Sequence, residues 1–268
     1  MNYRCIAPPG PLSDVVRYFW VMEATDPGVQ RRTFVPFADG CPGMIFHYSG
    51  DAFRDERGDA FPQLYLYGQT LSPVRMNAPG TFGAVGLYFY PHALRSVFGI
   101  DAFDLTTSCL CAAELPYSGP LALEEQLVNA GDADEAIRIL SAYLQHCLAR
   151  NTFAADAGTR YALGRITSAA VPLSELQRQT GQTERTFERR FRQTVGVPPK
   201  LFWRICRFQE TLKQLRHGNY RSLTELAYSA GYADQSHFIR SFREFAGFSP
   251  RNYARSARES IENFAERL

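Results

Sequence analysis

Apolar and polar positions along the chain follow three rhythms. Up to about residue 115, short aromatic-rich runs, Met44-Ile45-Phe46-His47-Tyr48, Leu64-Tyr65-Leu66-Tyr67 and Val85-Gly86-Leu87-Tyr88-Phe89-Tyr90, stand between turn-forming segments. Runs of that length bounded by Gly, Pro and Asp predict strands. Between 121 and 150 the spacing becomes helical, with Ile137, Leu140, Leu144 and Leu148 three or four apart on one stripe. Such a stripe either packs on its own domain or pairs with a second subunit. Small and polar residues over 151–159 predict a linker. Helical spacing then returns, punctuated by glycines and prolines. The expected architecture is α+β: a β-rich domain over 1–118, a helical linker or dimerisation region over 119–150, and an all-α domain over 157–258. A length of 268 residues suffices for two separate cores.

The all-α stretch contains an internal repeat. Leu173-Ser174-Glu175-Leu176 with Gly181 recurs as Leu223-Thr224-Glu225-Leu226 with Gly231, and Phe191-Arg192, Gly196 and Pro199-Lys200 recur as Phe242-Arg243, Gly247 and Pro250-Arg251. Each copy reads as a short helix, a glycine turn and a second helix. Ser222 with Glu225 forms a capping-box pattern, and Leu223, Leu226, Ala227 and Ala230 share one face behind it. Phe187 with Phe191, and Phe238 with Phe242, are core-facing pairs four residues apart. Gly196 and Gly247 end the second helices, and the prolines that follow forbid continuation. This is a helix-turn-helix outline drawn twice. Leu201, Phe202, Ile205, Phe208, Leu212 and Leu215 predict a long helix joining the two units.

Charge divides along the same line. Residues 1–159 hold 10 Lys and Arg against 17 Asp and Glu, whereas residues 160–258 hold 18 against 7. A compact basic half beside an acidic one is the pattern expected when one domain meets phosphates. The outer faces of the two second helices carry Arg185, Glu188 and Arg189 in the first copy and Gln235, Ser236 and Arg240 in the second. Arg pairs bidentately with guanine and Gln with adenine in the major groove. Arg192, Lys200, Arg243 and Arg251 are placed to clamp the phosphate backbone. A connecting helix that holds the two reading helices about 34 Å apart would let both enter adjacent major grooves of double-stranded DNA.

These residues resemble the DNA-binding domain of the AraC/XylS family of transcription regulators over about 157–258. The resemblance is carried by Glu225-Leu226-Ala227, by the run from Gly231-Tyr232 to Gln235-Ser236-His237-Phe238, by Arg240-Ser241-Phe242-Arg243 and by Gly247-Phe248-Ser249-Pro250-Arg251. Arg185 to Phe191 and Gly196-Val197-Pro198-Pro199 fit the first unit. Gln177 departs from the small residue usual there, which Ala227 keeps in the second copy. The family resemblance implies base contacts at Arg185, Glu188, Arg189, Gln235, Ser236 and Arg240. It also implies RNA polymerase as a partner and activation as the sign of control; no cofactor is expected. The first 118 residues, with Pro36, Asp39-Gly40-Cys41, Gly68-Gln69 and Phe89-Tyr90-Pro91, resemble a sensor-like domain that is loosely cupin-like. By that analogy alone, a β-barrel pocket there binds a small-molecule effector; the apolar stripe within 121–150 is what can hold a homodimer together.

Other function classes find less support. Arg4, Pro8, Pro9 and Asp14 interrupt any leading apolar run, and no window approaches about 18 apolar residues. A cytoplasmic protein with no membrane partner is expected. Cys109 and Cys111 lack the further ligands of a structural zinc site, and His47 and His92 are isolated. Phe46, Tyr48, Tyr65, Tyr67, Tyr88 and Tyr90 could line a pocket or fill a core. An enzyme or cysteine-based sensor fused to a DNA-targeting module is the alternative, but no nucleophile elbow or phosphate-binding glycine loop is present.

Overall fold

The computed structural model describes residues 1–49, 53–119, 121–153, 157–168, 173–218 and 220–256. Residues 154–156 of the expected linker and the last two residues of the expected all-α domain lie outside them.

Strands β1 (Asn2–Ile6), β2 (Val16–Ala24), β4 (Gly43–Ser49), β5 (Leu64–Tyr67), β7 (Phe82–Phe89) and β8 (Cys109–Cys111) form one antiparallel sheet, ordered β1-β2-β7-β4-β5-β8. Strands β3 (Arg31–Phe34) and β6 (Met76–Pro79) make a separate two-stranded ribbon. The large sheet is covered on both faces, and successive side chains point to opposite sides. Met44 and Phe46, Leu64 and Leu66, and Val85, Leu87 and Phe89 enter one core, whereas Ile45, Tyr65, Ala84 and Tyr88 enter the other. Double burial explains why the third aromatic run is apolar without alternation. That run ends one residue early, since Tyr90 leaves β7, is 38% exposed and stacks on His92.

Helices α1 (Ala93–Phe98), α2 (Leu123–Val128) and α3 (Ala133–Arg150) cover the first face. Asp132 caps α3 by accepting a hydrogen bond from the Glu135 amide at 2.7 Å. Ile137, Leu140 and Leu144 are buried in the core beneath, and Leu148 packs at its margin. The stripe is therefore satisfied within the chain, and any subunit contact through this region has to use other faces of α3. The start of the expected linker is also pinned. Asn151 donates from Nδ2 to the carbonyls of Arg95 and Ser96 at 2.7 and 3.0 Å, which caps the end of α1.

The second half is all helical: α4 (Ala157–Ser168), α5 (Leu173–Gln179), α6 (Glu184–Val195), α7 (Pro199–His217), α8 (Leu223–Ser229), α9 (Gln235–Ala246) and α10 (Pro250–Ser256). α5 and α6 form the first helix-turn-helix, and α8 and α9 the second. Gly181 and Gly231 make the turns at φ of +66° and +74°. α7 belongs to two cores at once. Its Phe202 packs with Phe187 and Phe191, while its Ile205, Phe208, Leu212 and Leu215 pack with Phe238 and Phe242. α4, which the punctuation of the sequence did not announce, closes the first core with Ala162, Leu163 and Ile166.

Candidate nucleic-acid interface

The second helices of the two units, α6 and α9, are amphipathic and begin in the same way. Thr183 caps α6 by accepting from the Thr186 amide, and Asp234, 51 residues on, caps α9 by accepting from the His237 amide at 2.7 Å. Each cap uses a short polar side chain for an amide left free by the first helical turn. Phe187 and Phe191 on α6 and Phe238 and Phe242 on α9 are buried. With the inner faces so committed, Arg185, Glu188 and Arg189 stand exposed on α6, and Ser236 and Arg240 stand exposed on α9. Gln235 is half-buried at the start of α9, where its Oε1 accepts from Thr224 of α8 at 3.1 Å. That bond sets the amide of Gln235 at the edge of the outer face.

Of the four residues expected to hold phosphates, Lys200 and Arg251 lie exposed in the first turns of α7 and α10, at matching places after the two reading helices. Arg243 is exposed in the last turn of α9. Arg192, its counterpart on α6, is engaged elsewhere: its guanidinium lies over the Phe103 ring of the β-rich half, 3.4 Å from the centre.

Sequence reasoning missed Arg204 and Arg207 of α7, which brace the second unit from within. Arg207 donates from Nε to the Ala230 carbonyl at 2.7 Å and lies between the Trp203 and Tyr232 rings. Arg204 pairs with Glu244 of α9 and lies over Phe245. The signal was available, because both lie on α7 flanking its buried stripe and face a neighbouring helix. The departure at Gln177 is accommodated too: it is half-buried and donates to the Gln182 carbonyl across the turn. Ala227, fully buried, fills the same place in the second unit.

Comparison with known proteins agrees with the helix-turn-helix assignment. A family model described as a helix-turn-helix domain matches residues 176–256. The transcriptional activator RhaS of Escherichia fergusonii is 33% identical over 78 residues, which is 29% of this chain and 28% of RhaS. RhaS of Salmonella arizonae is 35% identical over 77 residues, 29% of this chain and 27% of that relative. The chain carries an AraC-type helix-turn-helix domain. Its alignment spans less than a third of either relative. A domain family of unknown function, DUF6597, matches residues 4–111. The unsaturated fatty acid-bound structure of ToxT from Vibrio cholerae aligns over 91% of this chain and 96% of its own, at 14% identity and a TM-score of 0.45.

The AraC-type domain is joined to the β-rich half by more than its connecting chain. Phe37, in the loop between β3 and β4, is buried among Phe208, Phe248 and Tyr253, with ring centres 5.5 to 6.4 Å away. Gln209 of α7 donates from Nε2 to the carbonyl of the next residue, Ala38, at 2.5 Å. The first unit is held separately, by the Thr106 hydroxyl donating to the Gly196 carbonyl at 2.8 Å. Gly196 sits at φ +96°, and a Cβ there would meet Thr106 Oγ1 at 2.7 Å. Its glycine thus serves the end of α6 and the approach of the other half.

The loop that inserts Phe37 also walls a cavity of about 310 Å³, with Pro36 and Asp39 on one side and residues 68–72 on the other. Tyr65, Tyr67 and Tyr88 line it, while Phe46 and Tyr48 lie on the opposite face of the sheet. Burial pushes the Asp39 carboxyl up to about 7, although the Cys41 amide and Arg17 favour its ionised form. Both histidines are engaged structurally. His47 stacks on Phe53 at 5.2 Å and lies 3.2 Å from the Pro62 carbonyl, while His92 lies 3.2 Å from the Asp14 carbonyl. Among the described residues, no three His, Cys, Asp or Glu come together as metal ligands. No described helix is long and apolar enough to cross a membrane.

Proposed function

We propose that this protein is a sequence-specific DNA-binding transcription regulator that uses two adjacent major grooves and answers to a small molecule held by its first 118 residues. One observation carries the reading: equivalent outer faces of α6 and α9 present Arg185, Glu188 and Arg189, and Gln235, Ser236 and Arg240, from two capped helices braced on one shared helix. Arg and Gln on such faces read base edges, and Lys200, Arg243 and Arg251 hold the flanking phosphates. Arg192 joins them when it leaves Phe103. The domain boundaries that fit this division are 1–118, 119–150 and 157–258.

RhaS is named a transcriptional activator, and activation through RNA polymerase is the corresponding reading for this chain. The cavity between residues 36–39 and 68–72 supports an effector held in the cupin-like half. A cytoplasmic homodimer with non-catalytic halves completes the proposal. Selection from a random duplex pool with the full chain tests it. Enrichment of two sub-sites about one helical turn apart, lost when Arg189 and Arg240 are both changed to Ala, supports the reading. Binding without enrichment, set by salt alone, refutes it.

A further inference from the structure

We propose that the cavity walled by residues 36–39 and 68–72 takes an aromatic small molecule that is neutral or cationic and donates hydrogen bonds, and that it rejects carboxylates. This deepens the effector reading above and rests on it for the purpose the ligand serves.

Two polar atoms at the cavity are buried and lack a hydrogen-bond partner: Oε1 of Gln69, a residue 1% exposed, and the hydroxyl of Tyr65, a residue 3% exposed. A buried polar group without a partner is costly, and native chains seldom keep one unless something else satisfies it. The orientation of Gln69 is set, because its Nε2 donates to the Gly40 carbonyl at 2.9 Å. Its oxygen is thereby left as an acceptor, which requires a donor from outside.

The charges point the same way. Among the described residues lining the cavity there is no Lys, Arg or His, and the one ionisable carboxyl is that of Asp39. A carboxylate entering here would lose its hydration and meet no cation, and its charge would lie near the Gln69 acceptor; the neutral Tyr65 hydroxyl could donate to it but leaves the buried charge uncompensated. An amine or phenol would instead donate to Gln69. Arg17, beyond Asp39, opens onto a separate cavity with Arg160 and His92. The walls favour a ring: Phe61 and Tyr65 lie stacked 5.5 Å apart, Tyr67 and Tyr88 add two more aromatic faces, and Ile45 and Met76 complete an apolar lining. Aromatic faces also attract cations. A volume of about 310 Å³ suits a small molecule.

The test compares three probes of one skeleton: tyramine, 4-hydroxyphenylethanol and 4-hydroxyphenylacetate. Each is titrated into the full chain by ligand-observed NMR. The amine and the alcohol are expected to bind at least tenfold more tightly than the carboxylate. Tyr65→Phe and Gln69→Leu should each weaken them about three- to tenfold with an unchanged circular-dichroism spectrum. Equal or tighter binding of the carboxylate, insensitivity to both variants, or no binding of any probe overturns the proposal. A cavity-filling Thr70→Trp variant separates this failure from that of the effector reading. If Thr70→Trp still alters duplex selection when no probe binds, the ligand class is wrong and the sensor stands. If it alters nothing, both fall.

Discussion

Arg192 spends its guanidinium on Phe103, 3.4 Å from the ring centre, and so ties the first reading helix to the acidic half of the chain. Its counterpart in the repeat, Arg243, is exposed on α9. Both side chains are exposed, yet Arg192 lies over a ring of the β-rich half because α6 packs against residues 102–106. Phe103 is itself 43% exposed, so the interaction is a partly hydrated one. Cation–π contacts of that kind contribute about 0.5–1 kcal/mol. If Arg192 is a phosphate clamp, Phe103→Ala should raise the affinity of the full chain for its selected duplex by about two- to fivefold. It should also steepen the salt dependence by about one phosphate contact. Fluorescence anisotropy at several salt concentrations measures both. An unchanged slope would mean that Arg192 serves the domain junction alone.

Phe37 poses the complementary case at the second unit. It is 1% exposed and fills a space among Phe208, Phe248 and Tyr253 that the AraC-type domain leaves open. Truncating a buried Phe costs about 3–5 kcal/mol through lost burial and the cavity left behind. Phe37→Ala should therefore loosen α8 to α10 more than α5 and α6, and weaken selection at the second sub-site more than at the first. Hydrogen exchange of the two units, compared in one sample, reports the difference. Equal protection losses in both would show a general destabilisation instead.

The repeat made much of this domain legible. Ser222, Gly181, Gly231, Gly196 and Gly247 are local signals, and each acts within a few residues of where it stands. The outer-face residues followed from the same register, since a buried pair such as Phe187 and Phe191 determines which side chains point away. Phe37, Thr106 and Arg192 were not legible as interface residues, because their partners lie 89 or more residues distant and no periodicity links them. Ambiguity also remained in the aromatic strands: alternation sends Phe46 to one core and Tyr65 to a cavity, but which face is filled depends on loops 36–39 and 68–72. The stripe on α3 read equally well as a subunit contact until the sheet beneath it was in view.

Asp39 gives the fold a pH dependence of known sign. Burial raises its carboxyl to about 7 from an ordinary 3.8, against the pull of Arg17 and the Cys41 amide. The native state holds the proton more tightly than the unfolded chain, so the protonated form stabilises below about pH 4. That contribution is lost progressively as pH rises towards 7. Asp39→Asn removes the dependence while keeping an oxygen for the Cys41 amide. The gain in melting temperature of the variant over the parent should therefore be larger at pH 8 than at pH 5. Comparing the two proteins cancels the contributions of all other carboxylates. A gain independent of pH would place Asp39 in contact with water.

The proposed roles of Arg240 and Arg251 separate reading from holding. Arg240 is exposed on the outer face of α9 beside Ser236, one helical turn away, and the buried Phe238 and Phe242 hold that face outward. Arg251 lies in the first turn of α10, beyond the reading helix. A guanidinium bidentate to guanine discriminates by about 1–3 kcal/mol, whereas one on a phosphate attracts every sequence alike. Arg240→Ala should thus cost about five- to 150-fold on the selected duplex, little on random duplex, and relax preference at one base position. Arg251→Ala should weaken both duplexes by the same factor and flatten the salt slope by about one contact. Competition titrations against selected and random duplex distinguish these outcomes. Equal losses for Arg240→Ala on the two duplexes would move it from base reading to the phosphate class, and the second sub-site would then depend on Gln235 and Ser236.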